Sequence, residues 1–251
     1  MKFLRFSYQG TESYGVLQEE TVTALRGDPF NDLDFAKEYH LSEATLLAPV
    51  IPSKIVAVGL NYVDHARELQ MEIPEEPILF MKPPTSLSGP GGNVVYPAMT
   101  HQLDYEAELA VVLKKKARFV MEEEVDDVVL GYTCSNDITA RDLQGKDGQW
   151  TRAKCFDTFA PLGPHVETDL NPQNLSIELF LNGERKQSSS TSNMIFDCAR
   201  LVSFVSQIMT LLPGDVIMTG TPPGVGPMNA GDVVEVVIEG IGSLRNMVVK
   251  E

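Results

Sequence analysis

Two glutamates separated by one residue form the most informative acidic pair of the sequence. Glu106 and Glu108 lie in a segment, residues 103–112, where a strand is expected. Because residues two apart project from the same face of a strand, the two carboxylates repel each other unless a cation lies between them. Hard oxygen ligands of this kind suit Mg²⁺ or Mn²⁺, with Ca²⁺ as a further candidate. The alternative is a solvent-facing strand of alternating acids, in which Asp104 is either a further ligand or the residue at the wet end.

A third carboxylate follows the next apolar strand. Asp137 stands just after the strand predicted at residues 128–133, where loops carry functional side chains, and it would complete a set of three oxygen ligands. Arg141 comes four residues later, on the same side of any helical turn that follows. The structural alternative is an aspartate that caps a helix N-terminus, with the arginine stabilising the turn.

His65 and Glu68 form another candidate pair. On a helical turn, residues three apart are neighbours, so the Glu68 carboxylate holds and polarises the His65 imidazole. Such a pair is a general base that activates water near neutral pH. A surface ion pair is the simpler interpretation of the same spacing.

Lys154 and Thr221 add a cation and a hydroxyl. Lys154 suits a substrate carboxylate or a developing oxyanion, although a solvated lysine is the simpler interpretation. Residues 219–226 (TGTPPGVG) contain the glycines of a phosphate-binding loop, but the lysine and hydroxyl residue that should follow are absent. The loop therefore predicts a turn that approaches a ligand with its backbone and the Thr221 hydroxyl, and it argues against a nucleotide site.

The composition argues against several kinds of partner. The 251 residues include 20 Lys and Arg against 35 Asp and Glu, a formal net charge of −15. This negative field repels phosphate backbones and anionic lipid headgroups, so neither nucleic acid nor a membrane surface is an expected partner. The three cysteines are far apart, and no apolar run is long enough for a spanning helix or a signal peptide. We therefore expect a cytoplasmic protein.

Strand patterns outnumber helical ones along the chain. Residues 1–50 predict a small β-rich N-terminal domain that ends at a proline-bracketed stretch. Residues 51–251 form the second predicted domain, which contains a hairpin turn at Asn182 and Gly183. The clearest helix is predicted at residues 196–212, where apolar side chains recur every three or four residues. Because strands and helices do not alternate regularly, the expected fold class is mixed β with some α, as a folded-over sheet or roll.

Seven segments carry a further signal when they are taken in order. They are GLNYVDHARE (59–68), PILFMKPPTSLSG (77–89), DYEAELAVV (104–112), GYTCSNDITARDLQ (131–144), QWTRAKCFDTFAPLGP (149–164), NGERKQSSSTSNMIF (182–196) and LLPGDVIMTGTPPGVGP (211–227). Together they resemble the fumarylacetoacetate hydrolase family over residues 51–251. Residues 1–50 resemble, more weakly, the small N-terminal domain of some bacterial and archaeal members.

The resemblance implies a β-sandwich roll, a homodimer and a Mg²⁺ or Mn²⁺ site. The family's metal ligands fall on Glu106, Glu108 and Asp137, and its catalytic pair falls on His65 and Glu68. Its substrate contacts fall on Arg141, Gln144, Lys154 and Thr221, and we count Lys154 as catalytic because it would neutralise a carboxylate or oxyanion.

A site of this kind supports several reactions of 2-oxo acids. A 2-oxo acid chelates a divalent cation, which stabilises the enolate formed when a bond to C3 breaks. Our leading hypothesis is hydrolysis of the C–C bond of an acylpyruvate-like 2,4-dioxo acid, with water activated by His65 and Glu68. The alternatives are oxaloacetate decarboxylation and isomerisation of 2-hydroxyhepta-2,4-diene-1,7-dioate. A hypothesis of another class is a non-catalytic protein that binds a metal or an oxo acid.

Overall fold

A computed structural model describes residues 1–30 and 33–251 of the chain. Residues 31 and 32, inside the predicted N-terminal segment 1–50, lie outside the described residues. The strands are β1 (Lys2–Tyr8), β2 (Thr11–Gln18), β3 (Thr21–Arg26), β4 (Asp34–His40), β5 (Thr45–Leu47), β6 (Ile55–Gly59), β7 (Ile78–Lys82), β8 (Leu87–Ser88), β9 (Asn93–Tyr96), β10 (Leu103–Tyr105), β11 (Ala107–Leu113), β12 (Val129–Asn136), β13 (Thr139–Ala140), β14 (Ala160–Glu167), β15 (Ser176–Leu181), β16 (Glu184–Ser190), β17 (Val216–Met218), β18 (Gly226–Met228), β19 (Val233–Ile238) and β20 (Gly242–Lys250). The α-helices are α1 (Val63–Glu68), α2 (Arg141–Asp147), α3 (Thr151–Lys154) and α4 (Cys198–Ile208), and short 3-10 helices cover Leu41–Glu43, Pro84–Ser86, Glu122–Asp127 and Thr191–Asn193.

Three sheets organise these strands. The largest has twelve strands, in the order β4-β3-β2-β1-β14-β12-β11-β17-β6-β7, with β5 added on β1 and β8 on β14. A five-stranded sheet runs β16-β15-β19-β20-β9, and a small third sheet runs β13-β10-β18. The mixed, mostly β fold predicted from the sequence is confirmed.

The main core lies between the twelve-stranded and five-stranded sheets. Leu109 and Val111 of β11 pack there with Leu179 of β15 and with helix α4. Ala110 and Val112, which alternate with them along the same strand, pack into a second core on the opposite face. Strand β11 is therefore buried on both faces, which explains why its sequence is continuously apolar after Glu108.

The N-terminal strands continue the large sheet. Strand β1 pairs with β14, with Lys2 opposite Glu167 and Phe3 opposite Val166. Strands β1 to β3 also enclose a small core of their own, formed by Leu4, Phe6, Val22 and Ala24. The β-rich character of this segment matches the prediction, whereas the domain boundary at residue 50 stays a prediction.

Helix α4 is shorter than its apolar pattern predicts. It is capped by Asp197, whose side chain accepts a hydrogen bond from the Arg200 amide, and it ends at Ile208, four residues before the predicted end at residue 212. Leu211 nevertheless stays buried, because it pairs with Ala117 as an isolated β-bridge. Within the described ranges, 1–30 and 33–251, the helices are all too short or too polar to cross a membrane.

Candidate active site

The three predicted carboxylates meet at one point of the fold. Glu106, Glu108 and Asp137 each place a carboxylate oxygen within 4.8 Å of the others. Glu106 occupies the junction between β10 and β11, Glu108 lies on β11, and Asp137 follows β12. The antiparallel register of β11 and β12 brings Asp137 beside Glu106, and the Asp137 amide donates to the Glu106 carbonyl oxygen over 2.9 Å.

These acids are buried, which excludes the solvent-facing strand. Their exposed fractions are 6% for Glu106, 1% for Glu108 and 1% for Asp137. Asp104 is also buried, and its carboxylate accepts from Arg141 Nε over 2.8 Å. Asp104 is therefore neither at a wet strand end nor part of the carboxylate triad, and its observed role is to hold the Arg141 guanidinium.

Lys154 lies between two of the three carboxylates. Its Nζ donates to Glu106 Oε2 over 2.9 Å and to Asp137 Oδ2 over 2.6 Å, and the side chain is buried at the end of α3. A solvated lysine is thus the wrong interpretation. Burial by itself would raise the pKa of Glu106, but Lys154 and Arg141 overcome that effect and hold this pKa at about 2.

Glu108 differs from its two neighbours because it has no ion-pair partner among the residues described. Its Oε2 accepts a single hydrogen bond, from the Gly220 amide over 2.8 Å. Burial, together with the charges of Asp137 and Glu106, raises the pKa of Glu108 well above its ordinary value. A buried carboxylate that faces two others is the environment a divalent cation stabilises, so this donor set fits a hard metal ion.

Arg141 reaches the site by a different route from the one predicted. The chain from Asp137 to Ala140 includes β13, and α2 begins only at Arg141. Asp137 therefore does not cap a helix, and no helical turn relates it to Arg141. The guanidinium instead bridges Asp104, Glu106 and Gln144, with Nη1 donating to Gln144 Oε1 over 2.6 Å.

His65 and Glu68 lie on α1, as the spacing predicts. His65 Nδ1 is 2.8 Å from Glu68 Oε2, which leaves Nε2 as the ring atom available to another partner. Glu68 also accepts from the Gly224 amide over 3.1 Å, so the pair is tied to the loop that carries Thr221. The His65 side chain is 12% exposed and borders a cavity, whereas the Glu68 side chain is 43% exposed.

One cavity of about 400 Å³ collects most of the predicted site residues. Its lining includes His65, Glu106, Glu108, Asp137, Arg141, Gln144, Lys154 and Thr221. Glu68 is not part of the lining but contacts His65. A larger and more open groove of about 1210 Å³ lies elsewhere and contains none of these residues. The smaller cavity is the candidate active site because the buried charges converge there.

Two buried side chains of the site were not predicted. Lys82, at the end of β7, is fully buried and ion-pairs with Asp137, and burial lowers its pKa despite that neighbour. Gln187 donates through Nε2 to Thr221 Oγ1 over 2.9 Å and accepts from the Ala107 amide. A lysine that ends an apolar strand, as in ILFMK, was the available signal for Lys82.

A β-rich roll with a buried acidic centre beside a histidine–glutamate pair defines the class of protein. A model for the C-terminal domain of fumarylacetoacetate (FAA) hydrolase matches residues 54–249, and a model described as Rv2993c-like, N-terminal, matches residues 1–49. The chain belongs to the fumarylacetoacetate hydrolase family, a family of enzymes, as its motifs predict.

Named relatives cover several reactions of small oxo acids. A bovine (Bos taurus) protein named oxaloacetate tautomerase FAHD2B, mitochondrial, is 44% identical over 83% of this chain and 70% of its own. The structure of 5-carboxymethyl-2-hydroxymuconate delta-isomerase from Mycobacterium smegmatis covers 100% of both chains, with a TM-score of 0.95 and 40% identity. Maleylpyruvate hydrolase from Sphingobium sp. SYK-6, in complex with manganese (II) ion and pyruvate, has a TM-score of 0.84 and 30% identity over 100% of this chain and 99% of its own.

Proposed function

We propose that the protein is a divalent-metal-dependent enzyme that hydrolyses the C–C bond of an acylpyruvate-like 2,4-dioxo acid. In this reaction the C3–C4 bond breaks, a water oxygen joins C4, and C3 gains a proton. The products are a carboxylic acid and pyruvate. The observation that carries the proposal is the cavity itself, which brings the His65–Glu68 pair and the three buried carboxylates to one space.

Glu106, Glu108 and Asp137 would hold the metal ion. Their oxygen-only donor set and the absence of a cationic partner for Glu108 within the described chain suit Mg²⁺ or Mn²⁺, with Ca²⁺ as a further candidate. The manganese ion and pyruvate in the Sphingobium relative support Mn²⁺ and a 2-oxo acid ligand. When bound, the ion would supply a Lewis acid for the 2-oxo group of the substrate.

The His65–Glu68 pair would act on the water. Because Nδ1 is engaged by Glu68, Nε2 is the atom that takes a proton from water, and the Glu68 carboxylate then stabilises the imidazolium. The Glu68 contact with the Gly224 amide keeps the carboxylate in place during this transfer.

The remaining side chains each keep a donor free for the substrate. Lys154 has three N–H donors and uses two on carboxylates, which leaves one for a substrate carboxylate or an oxyanion. Gln144 accepts through Oε1, so its amide N–H groups stay available, and Thr221 accepts from Gln187, so its hydroxyl proton stays available. Arg141, which is held on three partners, would add a fixed positive charge.

A second candidate is favoured by the bovine relative. Its name points to keto–enol interconversion of oxaloacetate, in which a base moves a proton between C3 and the C2 oxygen. In this candidate, His65 would be the base for that transfer. Decarboxylation of oxaloacetate breaks another bond to C3, whereas the isomerisation of a 2-hydroxydienoate, the class named for the mycobacterial relative, moves a proton from the enol oxygen to the far end of the diene. In the hypothesis of the other class, the site binds an oxo acid and turns nothing over.

A substrate panel separates these candidates. We expect metal-dependent release of pyruvate from acetylpyruvate, and a loss of at least about a hundredfold in His65→Gln with Mn²⁺ binding retained. Oxaloacetate decarboxylation that survives in His65→Gln, without hydrolysis by the wild type, would favour the lyase. Faster enol-to-keto conversion of oxaloacetate alone would favour the tautomerase, and tight Mn²⁺ binding without any turnover would favour a binding protein.

We also propose a homodimer, which sedimentation velocity tests directly.

A further inference from the structure

We propose that the outer part of the cavity selects substrates whose end remote from the 2-oxo acid group is uncharged and apolar. This inference rests on the proposed function, because it assumes that the 2-oxo acid end lies at the three carboxylates. It narrows the substrates to 2-oxo acids with an alkyl or similar remote group, and it disfavours long dicarboxylates.

One wall of the cavity is apolar. It is formed by Leu69 and Met71, just after α1, by Ile78 and Phe80 of β7, and by Trp150. The Phe80 ring centroid lies 5.1 Å from Lys154 Nζ, so Phe80 is the part of this wall next to the charged groups. Leu69, Met71 and Ile78 are 50%, 52% and 41% exposed, so they stand at the mouth. When a ligand covers half-exposed apolar side chains, it removes apolar surface from water, and this favours binding of an apolar ligand group.

Trp150 is held in this wall by close packing. Its ring meets Phe80 edge-on, with ring centroids 5.2 Å apart and an interplanar angle of 75°. Strand β6 places Gly59 beneath the indole, where a Cβ would lie 2.7 Å from two ring atoms. The glycine therefore lets the indole lie against the strand, which gives the wall a fixed flat surface.

The cations that line the cavity are already paired with protein carboxylates. The titratable residues that line the cavity are His65, Glu106, Glu108, Asp137, Arg141 and Lys154. Both cations among them contact protein carboxylates, Arg141 through Asp104 and Glu106 and Lys154 through Glu106 and Asp137. A second substrate carboxylate at the mouth, beside Leu69, Met71 and Ile78, would thus lose water without gaining a partner there.

The formal charge of the buried cluster leads to the same conclusion. It contains four carboxylates and three cations: Asp104, Glu106, Glu108, Asp137, Lys82, Arg141 and Lys154. The cluster therefore carries one negative charge, which a divalent ion converts to one positive charge. One substrate carboxylate balances that charge, and a second leaves an excess negative charge.

Binding of two matched ligands tests the inference without any need for turnover. The ligands are 2-oxoheptanoate and 2-oxoheptanedioate, which share seven carbons and differ in a methyl or a carboxylate at the far end. Titration into the Mg²⁺-loaded protein is followed by calorimetry and by the fluorescence of Trp150, the single tryptophan. We expect the monoacid to bind at least about tenfold more tightly than the diacid. Equal affinity, tighter binding of the diacid, or no binding of either ligand overturns the inference.

A charge placed in the wall should reverse the preference. Ile78→Lys puts a cation at the mouth, and we expect it to tighten binding of the diacid about tenfold or more relative to the monoacid. Ile51→Lys is the matched control, because Ile51 is 57% exposed and lies outside the cavity lining. Leu69→Lys repeats the test outside a strand, in case the substitution disturbs β7. An equal change in the control, or no change in either mouth variant, contradicts the inference.

Turnover then separates this inference from the proposed function. The matched substrates are 2,4-dioxoheptanoate and 2,4-dioxoheptanedioate. Hydrolysis of both at equal kcat/KM would support the function and overturn the inference. Selective binding of the monoacid without hydrolysis of any dioxo acid would support the inference and overturn the function.

Discussion

Glu106 and Glu108 should respond in opposite ways to the same substitution in the metal-free protein. Glu106→Gln breaks contacts with Lys154 and Arg141 and leaves those buried cations partly unpaired. Glu108→Gln removes a buried charge that has no cationic partner in the described structure, and the new amide oxygen still accepts from the Gly220 amide. We therefore expect the first variant to unfold more readily than the wild type and the second to be at least as stable.

The size of the Glu106 effect follows from its pKa. Lowering this pKa from the ordinary 4.5 to about 2 corresponds to about 3 kcal/mol of folding free energy, at about 1.4 kcal/mol per pKa unit. Because the folded pKa lies below the unfolded one, this contribution is fully present above pH 4.5 and is lost as the pH falls toward 2. For a chain of 251 residues, the same free energy lowers Tm by about 10 °C at pH 7.

Thermal and urea unfolding in the presence of a chelator measure the stability of both variants. The difference between wild type and Glu106→Gln should shrink below pH 4.5, while Mn²⁺ binding should weaken strongly in both variants. Equal destabilisation by the two substitutions at pH 7 would refute the assignment of Glu108 as the unpaired acid of the site.

Three further outcomes follow from the structure. Burial lowers the pKa of His165 to about 4, so the unfolded chain binds a proton near pH 6.5 while the folded chain does not. The free energy of unfolding should therefore fall by about 2 kcal/mol between pH 7.5 and 5. Urea titrations of His165→Gln should show no such loss. Asp64 connects α1 to the segment after β15, because its carboxylate accepts from Ser189 Oγ over 2.6 Å and from Asn193 Nδ2 over 3.2 Å. Asp64→Ala should lower kcat/KM about tenfold in steady-state assays with unchanged Mn²⁺ affinity, and Ser189→Ala should have a smaller effect. Gly59→Ala should displace Trp150 and weaken ligand binding about threefold or more, with an altered tryptophan emission spectrum as the direct readout; an unchanged spectrum would contradict the packing argument.

The positions of the site residues along the chain were predictable where local periodicity sufficed. The i, i+3 spacing of His65 and Glu68 on α1 is a local property, and the structure reproduces it. The sequence predicted that the Glu106 and Glu108 carboxylates lie together, and they do. The reason given was that both lie on one continuous strand, but Glu106 lies at a break between two strands. The roles assigned to these residues stay predictions that the experiments above test.

Long-range pairing lay beyond what the sequence shows. Lys82 meets Asp137 only because β7 lies on the edge of the sheet that also carries β12, and no local pattern encodes that contact. Asp104 was ambiguous for the same reason, since its partner Arg141 is 37 residues away. The end of α4 was predicted too late because Leu211 is buried where it forms a β-bridge with Ala117, and not on a face of the helix.

Metal reconstitution tests the central claim most directly. The metal-stripped protein is assayed for pyruvate release from acetylpyruvate, before and after addition of Mn²⁺ or Mg²⁺, with Glu108→Gln in parallel. We predict no turnover without the ion, full turnover at one ion per chain, and none in the variant. Turnover that is unaffected by the chelator, or that persists in Glu108→Gln, would contradict a metal-dependent site at these three carboxylates.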